Sequence, residues 1–351
     1  MFRRFCAKSD GRGIERMSIQ QELDAILHGA AIAPLDDRAF LRVTGSDATR
    51  WLNGMVTNSV QALARGEGCY NFLLNAQGRI LGDCTIFREP SGDQPAFVLA
   101  TSKQQLEAIQ KHLDHFIIMD DVELTPMEQY SHTMLLIGPE APQVLRTMEN
   151  PTEGCTSFAD SPPLRLHYYP QTASQLITSA EGPIPCFEIS PSFPIEDLLK
   201  EAKAAGATEV SPEALEALRL LEGRPLYGRD ITEKYLPQET NQPQALHFNK
   251  GCYLGQEIVE RIRSRGQVHR LLTSLTLTGN LPTEFPAPLE ADGKPVGEIT
   301  SAALVPLPEG DQILALGYVR REAFDTQVAL TYSGGSAASR AASKGLQTTT
   351  P

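Results

Sequence analysis

The sequence predicts an α+β protein, with a mixed body followed by a small all-β module, a barrel or sandwich. Strand-like and helix-like runs alternate up to about residue 265, and strand-like runs dominate from there to about 332. The length of 351 residues leaves room for two or three domains.

The elements follow in order. Residues 19–28 (IQQELDAILH) carry helical spacing, and 38–44 (RAFLRVT) alternate as a strand does. Gly45-Ser46-Asp47 then turns the chain. Ser46 or Asp47 can cap a helix over 47–55, its side-chain oxygen taking an orphan backbone N–H. Residues 69–75 and 79–88 read as paired strands around the turn Ala76-Gln77-Gly78, and 96–100 as a further short strand. Leu106, Ile109, Leu113 and Phe116 form a core stripe on a helix over 103–116. A strand at 133–137 precedes a short helix opened by Pro139. Residues 164–169, 175–179 and 186–190 look like strands, and 195–205 like a helix with Leu198 and Leu199 inward. Ser211-Pro212-Glu213 sets a cap residue before a proline at the first helical position, and that helix ends at Gly223. Beyond it, 271–278, 312–319 and 327–332 are strands, with a hairpin signal at Asp292-Gly293.

These runs divide the chain into a body over 18–264 and a β module over 265–332. Residues 1–17 are a basic, disordered extension with Met17 as an alternative start. Residues 333–351, rich in Ser, Gly, Ala and Thr, are a flexible tail.

Composition narrows the function. The formal net charge of −12 argues against a uniform phosphate-binding surface and so against direct nucleic-acid binding. No apolar run approaches the ~18–20 residues of a membrane helix, and none forms a secretory signal, so a cytoplasmic protein without a membrane partner is expected. The six cysteines form no C-x-x-C pair and no zinc-like spacing, which reads as reduced, buried thiols and no metal site.

The most unusual segment is Lys250-Gly251-Cys252-Tyr253-Leu254-Gly255-Gln256-Glu257. Two glycines flank a thiol, and a cation two residues away lowers a thiol's pKa, which makes Cys252 and Lys250 the candidate catalytic pair. Gln256 and Glu257 begin a helix whose amides favour an anion. The same spacing fits a core thiol beside a turn. Arg261, Arg263 and Arg265 share one face if extended, where they suit an acidic partner or anion, and spread apart if helical. In the hairpin, Tyr70, Asn75 and Asp83 are able to grip a flat, nitrogen-rich heterocycle, although an ordinary hairpin has the same pattern. Tyr227 stacks on a ligand or packs.

The octapeptide at 250–257 resembles the signature of the YgfZ-type folate-binding proteins, relatives of the glycine-cleavage T-protein (aminomethyltransferase), whose members support iron–sulfur cluster assembly or repair. Residues 45–58, 70–83, 218–228 and 236–240 fall in the family's order and spacing, so the resemblance spans about 18–332. It implies a three-lobed GcvT-like fold, two α+β lobes and a C-terminal small β-barrel around a central hole that holds tetrahydrofolate. It further implies that Tyr70, Asn75, Asp83 and Tyr227 line the folate site. Gly251, Tyr253, Gly255, Gln256 and Glu257 are the motif around Cys252. The implied partners are folate and iron–sulfur client or assembly proteins.

Three departures stand out. The acidic pair of the T-proteins reads Gly82-Asp83 here, a thiol replaces an acid at Cys252, and the block's carboxylate is shifted one place to Glu222. One place on a helix is ~100°, which turns Glu222 from the pocket. These changes favour a tetrahydrofolate-binding accessory protein with Cys252 as its key thiol over a true aminomethyltransferase. The alternatives are a one-carbon transferase, and a module that docks partners through the arginines without folate.

Overall fold

Residues 38–126 build a first lobe around five antiparallel strands, in spatial order Gly68–Leu74, Ile80–Arg88, Phe97–Ser102, Arg38–Thr44 and Glu123–Pro126. The structure is a computed structural model, and it describes residues 17–149, 157–168, 175–180, 182–266, 268–325 and 329–340. The expected extension through residue 16, Cys6, Cys155 and residues 341–351 lie outside the described residues.

Alternation along Arg38–Thr44 separates two faces. Leu41 and Val43 pack with Trp51 and Leu52 of the helix Ala48–Met55 and with Ile109 and Leu113 of the helix Lys103–Asp114. Phe40 faces the other way, into a cluster with Phe87, Val98 and Ala100. Asp47 precedes its helix but makes no side-chain cap there. Its carboxylate accepts the Asp121 amide at 3.0 Å, and Asp121 accepts the Ser46 amide at 3.0 Å, so this loop is fastened to the next instead.

The second lobe carries six strands in the order Thr208–Glu209, Ala31–Pro34, Met134–Ile137, Cys186–Pro191, Gln175–Ser179 and Leu166–Tyr168. Its strands come from both sides of residues 38–126, so the first lobe is an insertion into the second. Helices Ala141–Glu149 and Ile195–Ala204 cover one face through Val144, Leu145, Leu198 and Ala202. Helices Ile19–His28 and Pro212–Glu222 cover the other, where Leu23, Ile26, Leu218 and Leu220 meet the barrel residues Leu272, Leu316 and Tyr318. Ser211 caps the helix Pro212–Glu222, and Gly223 ends it at φ +73°. Gly68 N donates to Leu164 O at 2.8 Å and Leu166 N to Gly66 O at 2.8 Å, which joins the edges of the two sheets.

The C-terminal module is a closed barrel of Arg270–Gly279, Gly310–Arg320, Lys294–Leu307, Ala287–Ala291, Leu330–Tyr332 and Gly335–Ser339. The last strand corrects the expectation of a flexible tail from 333: Gly335–Ser339 pairs with both Arg270–Gly279 and Leu330–Tyr332 and closes the barrel. Its small residues are what the closure demands, since a Cβ at Gly335 would sit 1.9 Å from the Thr278 carbonyl oxygen. The barrel is fixed to the body by the buried Asp230, which accepts from Thr300 at 2.5 Å, Ser301 at 2.7 Å and Arg219 at 2.6 Å. Among the described residues no helix is long and apolar enough to cross a membrane.

Candidate functional site

The site begins at the hairpin. Its turn is closed by Asn75, whose side-chain oxygen accepts the amides of Gln77 and Arg79, each at 3.0 Å. Asn75, expected beside the ligand, thus has its side-chain oxygen engaged in the turn. In the register Phe72 opposes Asp83, so Tyr70 and Asp83 stand diagonally on one face. Tyr70 OH donates to Asp83 Oδ2 at 2.6 Å, and Gln105 Nε2 donates to Oδ1 at 2.9 Å.

Asp83 opens to a cavity yet lies deep within the protein. Burial raises its pKa, opposed by the hydrogen bonds from Tyr70 and Gln105 and by the Arg38 charge. Gly82 faces the opposite side of the sheet. A Cβ there would lie 3.1 Å from Gln105 Oε1 and from Ile109 Cγ1, so a side chain at position 82 would meet the helix-covered face, whereas Asp83 borders the cavity.

The cavity is about 720 Å³ and lies between the two sheets and the end of the helix Pro212–Glu222. That volume is within the usual range for small-molecule sites. Tyr70, Asp83 and Tyr227 line it, and Tyr227 OH donates to Leu81 O at 2.7 Å, which clips its segment to the hairpin. Two ion pairs also border it, Arg38 with Glu188 across the sheets and Arg224 with Glu222 at 2.6 Å. Cys186 sits among these four charges, its thiol pushed up to about 12 by burial.

Glu222 overturns the expectation that its shift turns it away. It lines the cavity with its side chain 8% exposed, because it is the last residue of its helix and Arg224, beyond the left-handed Gly223, holds the carboxylate at the wall. Arg38, Gln105, Glu188 and Arg224 were not singled out from the sequence. They converge from four separate segments, and the available signal was a charged residue in a largely apolar strand run, Arg38 at the start of RAFLRVT and Glu188 within CFEIS.

The signature segment lies on the outer side of the hairpin. Gly255, at φ +81°, precedes the helix Gln256–Arg265, and a Cβ there would lie 2.6 Å from the Asn75 carbonyl oxygen, so the segment seats against the hairpin turn only with glycine. Leu254 N donates to Gly54 O at 3.0 Å, and Gln256 Oε1 accepts from Tyr253 N at 3.2 Å. Tyr253 is buried, packed with Phe72, Leu74 and Val259, whereas Gly251, Cys252 and Glu257 are exposed.

Lys250 departs from its expected role beside Cys252. Its Nζ turns inward, donating to Val56 O at 2.5 Å and Asn58 O at 2.6 Å, and lies 5.0 Å from the centre of the Tyr253 ring. Burial lowers its pKa to about 7, and the thiol that feels its charge is Cys69. The thiols are also not uniformly buried: Cys84 and Cys186 are, Cys69 is half-buried, and Cys252 is exposed.

The arginines do not form one stripe. The helix runs through residue 265, which spreads them; Arg261 pairs with Glu257 at 2.6 Å, and Arg263 pairs with Glu260 at 3.3 Å while lying 4.8 Å from the Phe248 ring centre. The side chain of Arg265 lies outside the described residues.

Two α+β lobes that meet at a cavity, with a closed barrel packed against them, define an aminomethyltransferase-type fold. The crystal structure of glycine cleavage system aminomethyltransferase T from Bartonella henselae matches with a TM-score of 0.77, covering 92% of this chain and 88% of that one at 20% identity. The family model of the GCVT N-terminal domain matches residues 4–250, and the chain belongs to that family.

Among curated relatives, a putative chloroplastic transferase of Arabidopsis thaliana is 25% identical over 86% of this chain and 68% of its own length. A mitochondrial iron–sulfur cluster assembly factor IBA57 homolog of Aspergillus oryzae is 29% identical over 80% of this chain and 63% of its own. The aminomethyltransferase of Synechocystis is 24% identical over 88% of this chain and 82% of its own. The chain thus spans about two thirds of the length of the first two relatives.

Proposed function

We propose that this chain is a tetrahydrofolate-binding accessory protein for iron–sulfur proteins, of the YgfZ type, with Cys252 as the thiol that meets its partner. The observation that carries the folate reading is the Tyr70–Asp83–Gln105 network at a cavity that Arg38 and Arg224 also line. A folate has an N–H-rich pterin at one end and carboxylates at the other, and this cavity offers the Asp83 carboxylate on the hairpin and the Arg224 guanidinium beyond the helix Pro212–Glu222. When bound, tetrahydrofolate supplies one-carbon chemistry. The chain's own residues hold and orient it: Asp83 accepts hydrogen bonds from the ring, Tyr70 and Gln105 fix Asp83, and Arg224 faces the acidic end.

The iron–sulfur reading is supported by the names of the fungal relatives and by an exposed Cys252. A thiolate is a soft ligand suited to iron, and since clusters take about four protein ligands, one cysteine serves a cluster shared with a partner. Complementation of an iron–sulfur enzyme defect by the wild type but not by Cys252→Ser is expected; full rescue by the mutant overturns the thiol role. The cytoplasm is the proposed compartment, against relatives named as chloroplastic and mitochondrial, and a fluorescent fusion of the full chain in its own cell distinguishes these.

A second reading, one-carbon transfer, is favoured by one observation: the acid facing the cavity, Asp83, is retained, and Gly82 faces away from it. Folate-dependent release of ammonia from an aminomethyl donor tests it. The spread of the arginines over a helix removes the main support for a folate-free docking module.

A further inference from the structure

Lys250 and Cys69 are two nucleophiles that neither the folate reading nor the role of Cys252 uses. Neither lines the central cavity, and both are half-buried. They converge on the segment 56–59, which follows the helix Ala48–Met55 and is tied to the strand Gly68–Leu74 by a hydrogen bond from Thr57 N to Phe72 O at 3.1 Å. Lys250 reaches it from the signature segment and donates to the carbonyls of Val56 and Asn58. Cys69 reaches it from the strand, and its Sγ donates to the carbonyl of the next residue, Ser59, at 3.7 Å. The buried Asn71 fixes the sulfur: its Nδ2 donates to Cys69 Sγ at 3.2 Å, while its Oδ1 accepts the Asn58 amide at 2.8 Å. The amine and the thiol thus stand against consecutive carbonyls of one short segment.

Lys250 makes no ion pair among the described residues, and its burial favours the neutral amine. A neutral amine has two N–H donors and one lone pair. The Val56 and Asn58 carbonyls take the two donors, which leaves the lone pair for an electrophile. A half-buried amine and thiol fixed on one segment suit a small electrophile that bonds to both, and a one-carbon aldehyde is the smallest that does.

We propose that Lys250 and Cys69 form a capture site for formaldehyde, which joins them through a single methylene. The Lys250 nitrogen adds to the carbonyl carbon and gives a carbinolamine. Loss of its hydroxyl leaves an iminium, and the Cys69 sulfur adds to that carbon and forms the C–S bond. One hydrogen from Nζ and the thiol hydrogen leave with the aldehyde oxygen as one water, and no oxidant or reductant is consumed. The bridge pins the segment that carries Cys252 to the hairpin strand.

The test is intact-mass and peptide-mass analysis of the full chain, reduced and then freed of reductant without air, after brief exposure to dilute formaldehyde and quenching with excess free amine. The folded wild type is expected to gain the mass of one carbon atom, with the peptides holding Cys69 and Lys250 linked. The link is expected to form about 10-fold or more faster than in the denatured chain, because the fold holds the two groups together. Cys69→Ala is expected to lose it, and Cys252→Ser to keep it. Lys250→Met, also expected to lose it, is the second variant should the alanine disturb the strand. No linked peptide in the folded wild type, a link from Lys250 to Cys252 instead, a link that survives in either folded variant, or equal rates in the folded and denatured chains overturns the proposal.

Discussion

Tyr70 and Asp83 are joined by a 2.6 Å hydrogen bond across adjacent strands, the phenol donating to a carboxylate that burial disfavours. Because the folded pKa of Asp83 is raised, the folded state holds a proton that the unfolded chain has released. The folded state therefore loses stability as pH rises from about 4 through the folded pKa, and the cost persists above it. Asp83→Asn removes that cost. Its melting temperature at pH 7 is expected to equal or exceed that of the wild type, with ligand affinity down by about 10-fold or more. A fall of several degrees in melting temperature would show that the ionised carboxylate stabilises the fold.

Lys250 titrates in the opposite sense to an ion-paired lysine. Burial lowers its pKa to about 7, so between pH 7 and 10 the unfolded chain holds the extra proton and stability rises with pH. The unfolding free energy of the wild type relative to Lys250→Met is expected to increase by about 1 kcal/mol or more from pH 7 to 9, since one pK unit corresponds to about 1.4 kcal/mol. Denaturant titrations of both proteins at the two pH values check this, and a flat difference contradicts a buried amine.

Cys252 is exposed while Cys84 and Cys186 are buried. Brief alkylation of the native protein with iodoacetamide, followed by peptide mass mapping, is expected to label Cys252 first and to spare the other two until denaturant is added. Cys252→Ser is expected to change stability by less than about 0.5 kcal/mol, as for surface positions in general. Loss of complementation by that mutant would then be a chemical effect.

Restoring the acidic pair is expected to fail as a route to transferase activity. In Gly82→Asp the new side chain meets Gln105 and Ile109 on the helix-covered face. Overpacking and a buried charge together are expected to cost about 3 kcal/mol or more, with no new release of ammonia from an aminomethyl donor. A stable, active variant would revive the one-carbon reading.

Much of this was legible in the residues, and the exceptions have physical causes. The hairpin at Ala76-Gln77-Gly78 and the helix opened by Ser211-Pro212 carry local signals, a turn residue set and a cap, that tertiary context did not override. The strand Gly335–Ser339 carries none: small residues read as linker, and only the approach of Thr278 shows why they are small. Glu222 was misjudged because the 100° argument treats the helix as continuing, whereas it ends one residue later and Arg224 recaptures the carboxylate. Tyr70, Asp83 and Tyr227, which line the cavity, were singled out from the hairpin and the Leu-Tyr-Gly turn and again through the family resemblance. Arg38, Glu188 and Gln105 were not, since no motif links residues that meet only when two sheets and a helix assemble.

The most direct test of the central claim is a tetrahydrofolate titration of the full chain by calorimetry, under anaerobic reducing conditions, beside Asp83→Ala. Saturable binding with one ligand per chain, lost in the variant while its fold is retained, is the predicted result. A wild type that takes up no tetrahydrofolate, or a variant that binds it equally well, would contradict the placement of folate against Asp83.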